Sequence, residues 1–311
     1  MRAVRNTERG IEVVDVPEPA ADGTTVTVRA ATICGSDLHM LSYGPSPVTF
    51  GHEFAGVLDD GTPVAVDPTL GCGTCDQCTS GAVHRCRTGS ERVLGIGRDG
   101  GLADMAVVTP HSLVPLPGGL RVEDACLVEP LGVAVHGVGQ AELTGGERVA
   151  VVGAGAIGLA AVAAARTRTD EVGLVARHDA QRAAGERLGA TTASGEYDVV
   201  IEAAGTESAL QHAAELCRPG GTIVFVSTHW EPVAIPGLPA LMKELGFRWS
   251  YTYGAHADGR RDLDDAAALL ASNPEIAKAL VTHRFPLDAA AEAFRVAADR
   301  AHGAIKVVLE P

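Results

Sequence analysis

Two groups of residues in this sequence have the types and spacing of metal ligands. Cys72-Gly-Thr-Cys75-Asp-Gln-Cys78, followed by Cys86, is a C-x2-C-x2-C-x7-C array. Four thiolates delivered by one loop suit tetrahedral zinc, and a complete sulfur shell leaves no position open for chemistry, so the role read here is structural. Chance clustering is the bland alternative, but four of the seven cysteines fall within fifteen residues. Disulfides are the other alternative, and a reducing compartment disfavours them.

The second group is dispersed. Cys34 lies in Cys34-Gly-Ser-Asp37-Leu-His39, His52 in Gly51-His-Glu-Phe-Ala-Gly56, and Glu129 in Val-Glu129-Pro130-Leu. One thiolate, one imidazole and one carboxylate give three protein ligands and leave a fourth position for water or substrate. Zinc held that way can polarise a carbonyl or stabilise the alkoxide form of an alcohol. Taken singly, each residue has an ordinary reading: Cys34 as apolar filler, His52 as a satisfied core histidine, Glu129 as a turn cap. What marks them as a site is their company.

That company is a dinucleotide turn. Val149-Ala-Val-Val-Gly153-Ala-Gly155-Ala156-Ile157-Gly158 reads as a buried strand entering G-x-G-x-x-G and then a helix. Gly153 permits the tight turn, Gly155 lets a pyrophosphate approach the backbone, and Gly158 lets helix and strand pack closely. The motif alone is weak; the strand before it and the helix after it are the context it needs. An acid about twenty positions on normally holds the adenosine ribose hydroxyls. Here the second strand ends in Ala176, followed by Arg177 and His178. A guanidinium accepts a 2′-phosphate that a carboxylate would repel, so the sequence favours NADP(H), with NAD(H) as the alternative. Asp179 falls late in register for the ribose acid. Further candidate cofactor contacts are Arg182, Ala204, Gly205, Val226 and Ser227.

These motifs need elements to position them. At 311 residues the chain is long enough for two domains. The first third reads as short strands among Gly and Pro: Thr25 to Ala31, Val64 to Val66 and Leu102 to Val108. From about Glu147 strands and helices alternate. Strands are read at Arg148 to Val152, Val172 to Ala176, Asp198 to Glu202 and Thr222 to Val226, with helices at Ile157 to Arg166, Ala180 to Leu188 and Ser208 to Cys217. That is the pattern of parallel βαβ units. Leu287 to Ala298 reads as helix and Ile305 to Leu309 as a closing strand. Aromatic residues make up only 4%, so Ala, Val, Leu and Ile must fill the core. A net charge of −14 argues against a nucleic-acid partner and an anionic membrane surface. No apolar run is long enough to span a bilayer, and Met1 to Val16 lacks a signal-peptide layout, so a cytoplasmic protein is expected.

In this order the motifs resemble those of the zinc-containing medium-chain alcohol and polyol dehydrogenase family, over nearly the whole chain. The tail segments Thr282-His-Arg-Phe-Pro-Leu287 and Ile305-Lys-Val-Val-Leu309 share the likeness. Glu129 in place of a third cysteine ligand looks like the sorbitol and threonine dehydrogenase branch. The resemblance implies an α/β fold: a GroES-like, β-rich catalytic domain (residues 1–138 and 285–311) and a Rossmann doubly wound parallel-sheet domain (139–284). It implies that Cys34 and His52 bind catalytic zinc, with Glu53 as an alternating ligand and Glu129 bound directly or through water. Asp37 would orient His52, Ser36 would exchange the substrate hydroxyl proton, and His39 would relay it. Cys126 aligns with no ligand position. A homodimer or homotetramer is a family expectation.

The resulting expectation is an enzyme with two zinc ions per chain that interconverts an alcohol, preferentially secondary, and a ketone or aldehyde with NADP(H). Two departures weaken substrate analogy: the chain is compact between His39 and Gly51 and again after Ser227. The competing readings are a C=C or C=N reductase, which does not need the Ser36 and His39 relay, and a dinucleotide-binding structural protein, which would not keep every ligand.

Overall fold

Dense glycine and proline keep the first elements short. A computed structural model of the chain describes residues 1–20, 23–256, 258–299 and 303–311. Strands β1 (Arg2–Thr7) and β2 (Gly10–Asp15) form an antiparallel hairpin. β3 (Thr24–Thr32) follows, then α1 (Gly35–Met40), β4 (Glu53–Val57), β5 (Pro63–Val66), α2 (Asp76–Thr79), β6 (Met105–Val108) and β7 (Leu113–Pro115). Alternation in β3 turns Val26, Val28 and Ala30 inward, as period-two patterning requires. The chain enters its second compact unit along α3 (Val128–Gln140).

The second unit takes in Pro130–Tyr253 and Lys278–Leu280. Its elements are β8 (Val149–Val152), α4 (Ala156–Ala165), β9 (Val172–Val175), α5 (Asp179–Arg187), β10 (Thr191–Thr192), β11 (Tyr197–Glu202), α6 (Glu207–Leu216), β12 (Cys217–Phe225), α7 (Gly237–Met242) and β13 (Gly246–Trp249). The six strands are parallel in the order β10-β9-β8-β11-β12-β13. Strand order therefore reverses between β8 and β11, the switch point of a doubly wound sheet. β8 is buried along its whole length, which is why it reads as an unbroken apolar run rather than an alternating one. Leu210, Ile223 and Phe225 are at the centre of this unit's core.

α8 (Asp262–Ser272) and α9 (Glu275–Leu280) come next, then β14 (Val281–Pro286), α10 (Ala290–Ala298) and β15 (Lys306–Glu310). β14 and β15 complete the first unit's sheet, β14-β15-β3-β4-β5-β7, with β6 also paired to β3. β15 runs antiparallel to β3. The core of that unit packs Phe50, Phe54 and Leu102 with Leu287, Phe294 and Leu309 from the returning tail. Residues 254–277 cluster with the first unit. Arg261 is one physical reason, since its guanidinium donates to the His111 and Leu113 carbonyls at 2.9 Å each. The helical reading from Leu287 resolves into a 3-10 turn, Leu287–Ala289, leading into α10. Among the described residues, no helix is long and apolar enough to cross a membrane.

Candidate metal and dinucleotide sites

Cys34 ends the turn after β3 and caps α1, while Glu53 opens β4 and His52 precedes it. β3 and β4 are antiparallel partners, with Thr32 opposite Glu53, so the two motifs meet across one strand pair. Cys34, His52 and Glu53 each offer a ligand atom, and these atoms all lie within 4.8 Å of one another. Asp37, fully buried, braces the group from behind. One of its oxygens accepts the Cys34 amide N–H at 2.8 Å and the other stands 3.5 Å from His52 Nδ1. That leaves His52 Nε2 turned toward the Ser36 hydroxyl, 3.3 Å away. Asp37 Oδ1 and His52 Nδ1 are both buried without a well-formed hydrogen bond. Burial disfavours the imidazolium, but the charges of Asp37 and Cys34 outweigh it and raise the His52 pKa well above its ordinary value. The donor set carries the argument for a metal: a soft thiolate and an imidazole converging with a carboxylate suit zinc.

Glu53 is held by a group that the sequence reading missed. Lys306 Nζ in β15 reaches both carboxylate oxygens, at 2.7 and 2.6 Å, and the Thr32 hydroxyl donates to one of them. Both side chains are almost fully buried. Burial would push the Glu53 carboxyl up; Lys306 and His52 overcome this and lower it. Its signal in the sequence was a lone lysine in the apolar run Ile305 to Leu309. Glu129 is buried in the first turn of α3 and its charge helps to raise the Lys306 pKa, but it stands outside the three-residue group. His39 Nε2 pairs with the Tyr43 hydroxyl at 3.0 Å, with the two rings edge to face. Cys126 is fully buried, and its thiol is pushed up to about 12 by burial.

The Cys72, Cys75, Cys78 and Cys86 sulfurs form a second group within 4.8 Å, and all four are free thiols. Cys72 and Cys78 Sγ lie 3.9 Å apart. That is far beyond a disulfide bond and close to the roughly 3.8 Å edge of a tetrahedron with ~2.3 Å zinc–sulfur bonds. The loop also directs N–H groups at sulfur: Cys72 N–H to Cys86 Sγ and Cys75 N–H to Cys72 Sγ, both 3.3 Å. Hydrogen bonds from Thr74 and the Cys75 amide lower the Cys72 pKa to about 5, while burial and its three sulfur neighbours raise Cys78 to about 11. Four converging sulfurs, two of them accepting backbone N–H groups, fit a cation at their centre.

In the second unit Gly153 has φ of +104°, and a Cβ there would come within 2.8 Å of Ala204 Cβ. A Cβ on Gly158 would sit 1.8 Å from the Gly153 carbonyl oxygen, whereas one on Gly155 would meet nothing within 4 Å. The packing thus demands two of the glycines, and the third leaves an open cradle at the N-cap of α4. A pyrophosphate needs that shape. Arg177 is exposed beyond β9, and Arg182 is paired with Asp179 at 2.7 Å. Ala204 and Gly205 follow β11, and Val226 and Ser227 follow β12, all at the carboxyl ends of central strands.

Residues 20–118 match the alcohol dehydrogenase GroES-like domain, and 122–310 match the glucose dehydrogenase C-terminus. The chain belongs to the zinc-type alcohol and polyol dehydrogenase family. It is 30% identical to a protein named D-xylulose reductase A in Arthroderma otae, over 91% of this chain and 90% of that one. It is 28% identical to the L-threonine 3-dehydrogenase of Bacillus licheniformis, over 96% and 94%. Its structure is similar to one from Sinorhizobium meliloti 1021 described as a zinc-binding dehydrogenase bound to NADP. The TM-score is 0.87 at 32% identity, covering 100% of this chain and 99% of that one. The GroES-like and doubly wound architectures that the resemblance implies are those of the family.

Proposed function

We propose that the protein is a zinc-dependent oxidoreductase that interconverts a secondary alcohol and its ketone with NADP(H). The convergence of Cys34, His52 and Glu53, braced by Asp37, carries this reading. Cys34 and His52 would hold catalytic zinc, with Glu53 and Glu129 as the carboxylates able to complete it, and the Cys72 loop would hold structural zinc. Zinc in the open site supplies a Lewis acid that lowers the pKa of a bound hydroxyl, and the dinucleotide supplies the hydride acceptor or donor. Asp37 orients the His52 ring through Nδ1, which leaves Nε2, turned toward Ser36, as the nitrogen that would serve as ligand. Ser36 exchanges the hydroxyl proton and His39, one turn on in α1, passes it outward. The open cradle at Gly155 takes the pyrophosphate, and Arg177 favours the 2′-phosphate. The similar Sinorhizobium meliloti structure, which is bound to NADP, supports the cofactor assignment. The intact Ser36 and His39 pair favours alcohol chemistry over C=C reduction.

The test is direct. Metal analysis should find two zinc ions per chain. Cys34→Ser should abolish NADP+-dependent alcohol oxidation while leaving NADPH binding intact; surviving turnover would sink the zinc reading. In fluorescence titration NADPH should bind more tightly than NADH, and Arg177→Ala should weaken NADPH selectively. The same reading includes self-association through the edge strand β13. Trp249 on that strand and Leu238, Leu241 and Met242 on α7 are exposed, and a strand edge beside apolar side chains is a pairing surface.

A further inference from the structure

Glu202 closes β11 and has no exposed surface. Both of its carboxylate oxygens are acceptors. Oε1 takes the N–H groups of Ala204 and Gly205, each at 2.8 Å, and Oε2 takes the Ser227 hydroxyl. His229 Nε2 stands 3.5 Å from Oε2 and 3.1 Å from Ser227 Oγ. Among the described residues, His229 is the one basic side chain within ion-pair distance of Glu202. A buried carboxylate is costly without donors, and here three donors and an imidazole fix it in place.

Its position gives that charge a use. Glu202 lies opposite Val152 across the β8–β11 pair, at the point where strand order reverses. Gly153 follows Val152, and a Cβ on Gly153 would come within 2.9 Å of Ala204 N, the atom that Glu202 holds. The carboxylate is therefore one hydrogen bond removed from the dinucleotide turn. A doubly wound sheet binds a dinucleotide across this reversal, one nucleotide half to each side. On the reading above, the Gly153 turn and the Arg177 strand end take the pyrophosphate and adenosine. The side formed by β11 and β12, with Glu202, Ser227 and His229, is left for the nicotinamide.

The nicotinamide ring is cationic when oxidised and neutral when reduced. We propose that Glu202 is an electrostatic positioning residue for the nicotinamide half, whose buried negative charge favours NADP+ over NADPH. In a low-dielectric interior such a charge reaches further than it would in water. The inference rests on the dinucleotide reading and adds to it a residue outside the glycine motif that sets the balance between the two cofactor forms.

The experiment compares the dissociation constants of NADP+ and NADPH at about pH 8, above the ordinary imidazole range. Glu202→Gln keeps an oxygen for the two amide N–H groups and an amide donor for Ser227, so it removes charge with little change of shape. It should weaken NADP+ by roughly tenfold and NADPH by less than about threefold. Equal weakening of both would make Glu202 a scaffold only, and no change in either would give it no part at all; each overturns the proposal. His229→Lys, which sets a cation beside the carboxylate, is the second variant should the first not fold. It should shift the ratio in the same sense, and an unchanged ratio overturns the proposal. Wild-type protein that binds neither form would instead sink the cofactor reading itself.

Discussion

The single residue that most changes the picture of the metal site is Lys306. Its pair with Glu53 is buried on both sides, and such a pair is costly to break because the surviving charge has nowhere to go. Lys306→Met should therefore destabilise the metal-free protein by about 3–5 kcal/mol. Zinc should return part of that loss, because Glu53 lies within ligand reach of Cys34 and His52 and would gain a second cation. Urea unfolding with and without zinc checks this; an equal loss in both states would mean that Glu53 does not reach the metal. The sign of the pH dependence follows from the two shifts. Glu53 is lowered from 4.5 and Lys306 raised from 10.5. The pair's contribution is thus present between those values, fading as pH falls below the first or rises above the second. Cys34 and His52 were legible as candidate ligands because they sit in compact motifs. Lys306 was not, because its partner is 253 residues away and only the pairing of β15 with β3 and of β3 with β4 brings them together.

At the scale of elements, legibility followed burial. The parallel strands and their helices read clearly, since a strand covered on both faces is a plain apolar run and α4 is six alanines in ten residues with Ile157, Leu159 and Val162 among them. In the first unit, the reading from Leu102 overran the strand, which begins only at Met105. Leu102 is buried and bonded through its backbone to Val4 and Phe50, so its apolar character reports packing and not strand membership. The glycine turn divides the same way, and its members separate stability from function. Gly158→Ala should cost about 1–3 kcal/mol, because the added methyl overlaps backbone that cannot move aside. Gly155→Ala meets open space, so its stability should change by no more than about 0.5 kcal/mol. Its NADPH affinity should nonetheless fall by about tenfold or more, because the methyl fills the pyrophosphate's approach. Chemical denaturation and fluorescence titration on the two variants decide it. A Gly155→Ala protein that binds NADPH normally would move the pyrophosphate off this turn.

Across the whole molecule, charge and apolar surface pull apart. A net charge of −14 keeps copies separate in general, yet Leu238, Leu241 and Met242 are each more than two-thirds exposed, and Trp249 is 60% exposed. All four lie on β13 or on α7 just before it, beside the longer edge of the six-stranded sheet, a strand of four residues; the opposite edge, β10, has two. A two-fold axis through such an edge makes the strand its own antiparallel partner, so the same apolar residues bury one another and no second surface is needed. Sequence could not locate this patch, because residues 230–251 carry apolar side chains that read equally well as core. The expected outcome is a dimer in sedimentation velocity that becomes monomeric when Leu241→Glu and Met242→Glu are combined, with NADPH binding retained. Because both side chains already face solvent, the charges should cost little in the fold, about 0.5 kcal/mol or less each. A monomeric wild type, or a variant still dimeric, would rule out this edge as the contact.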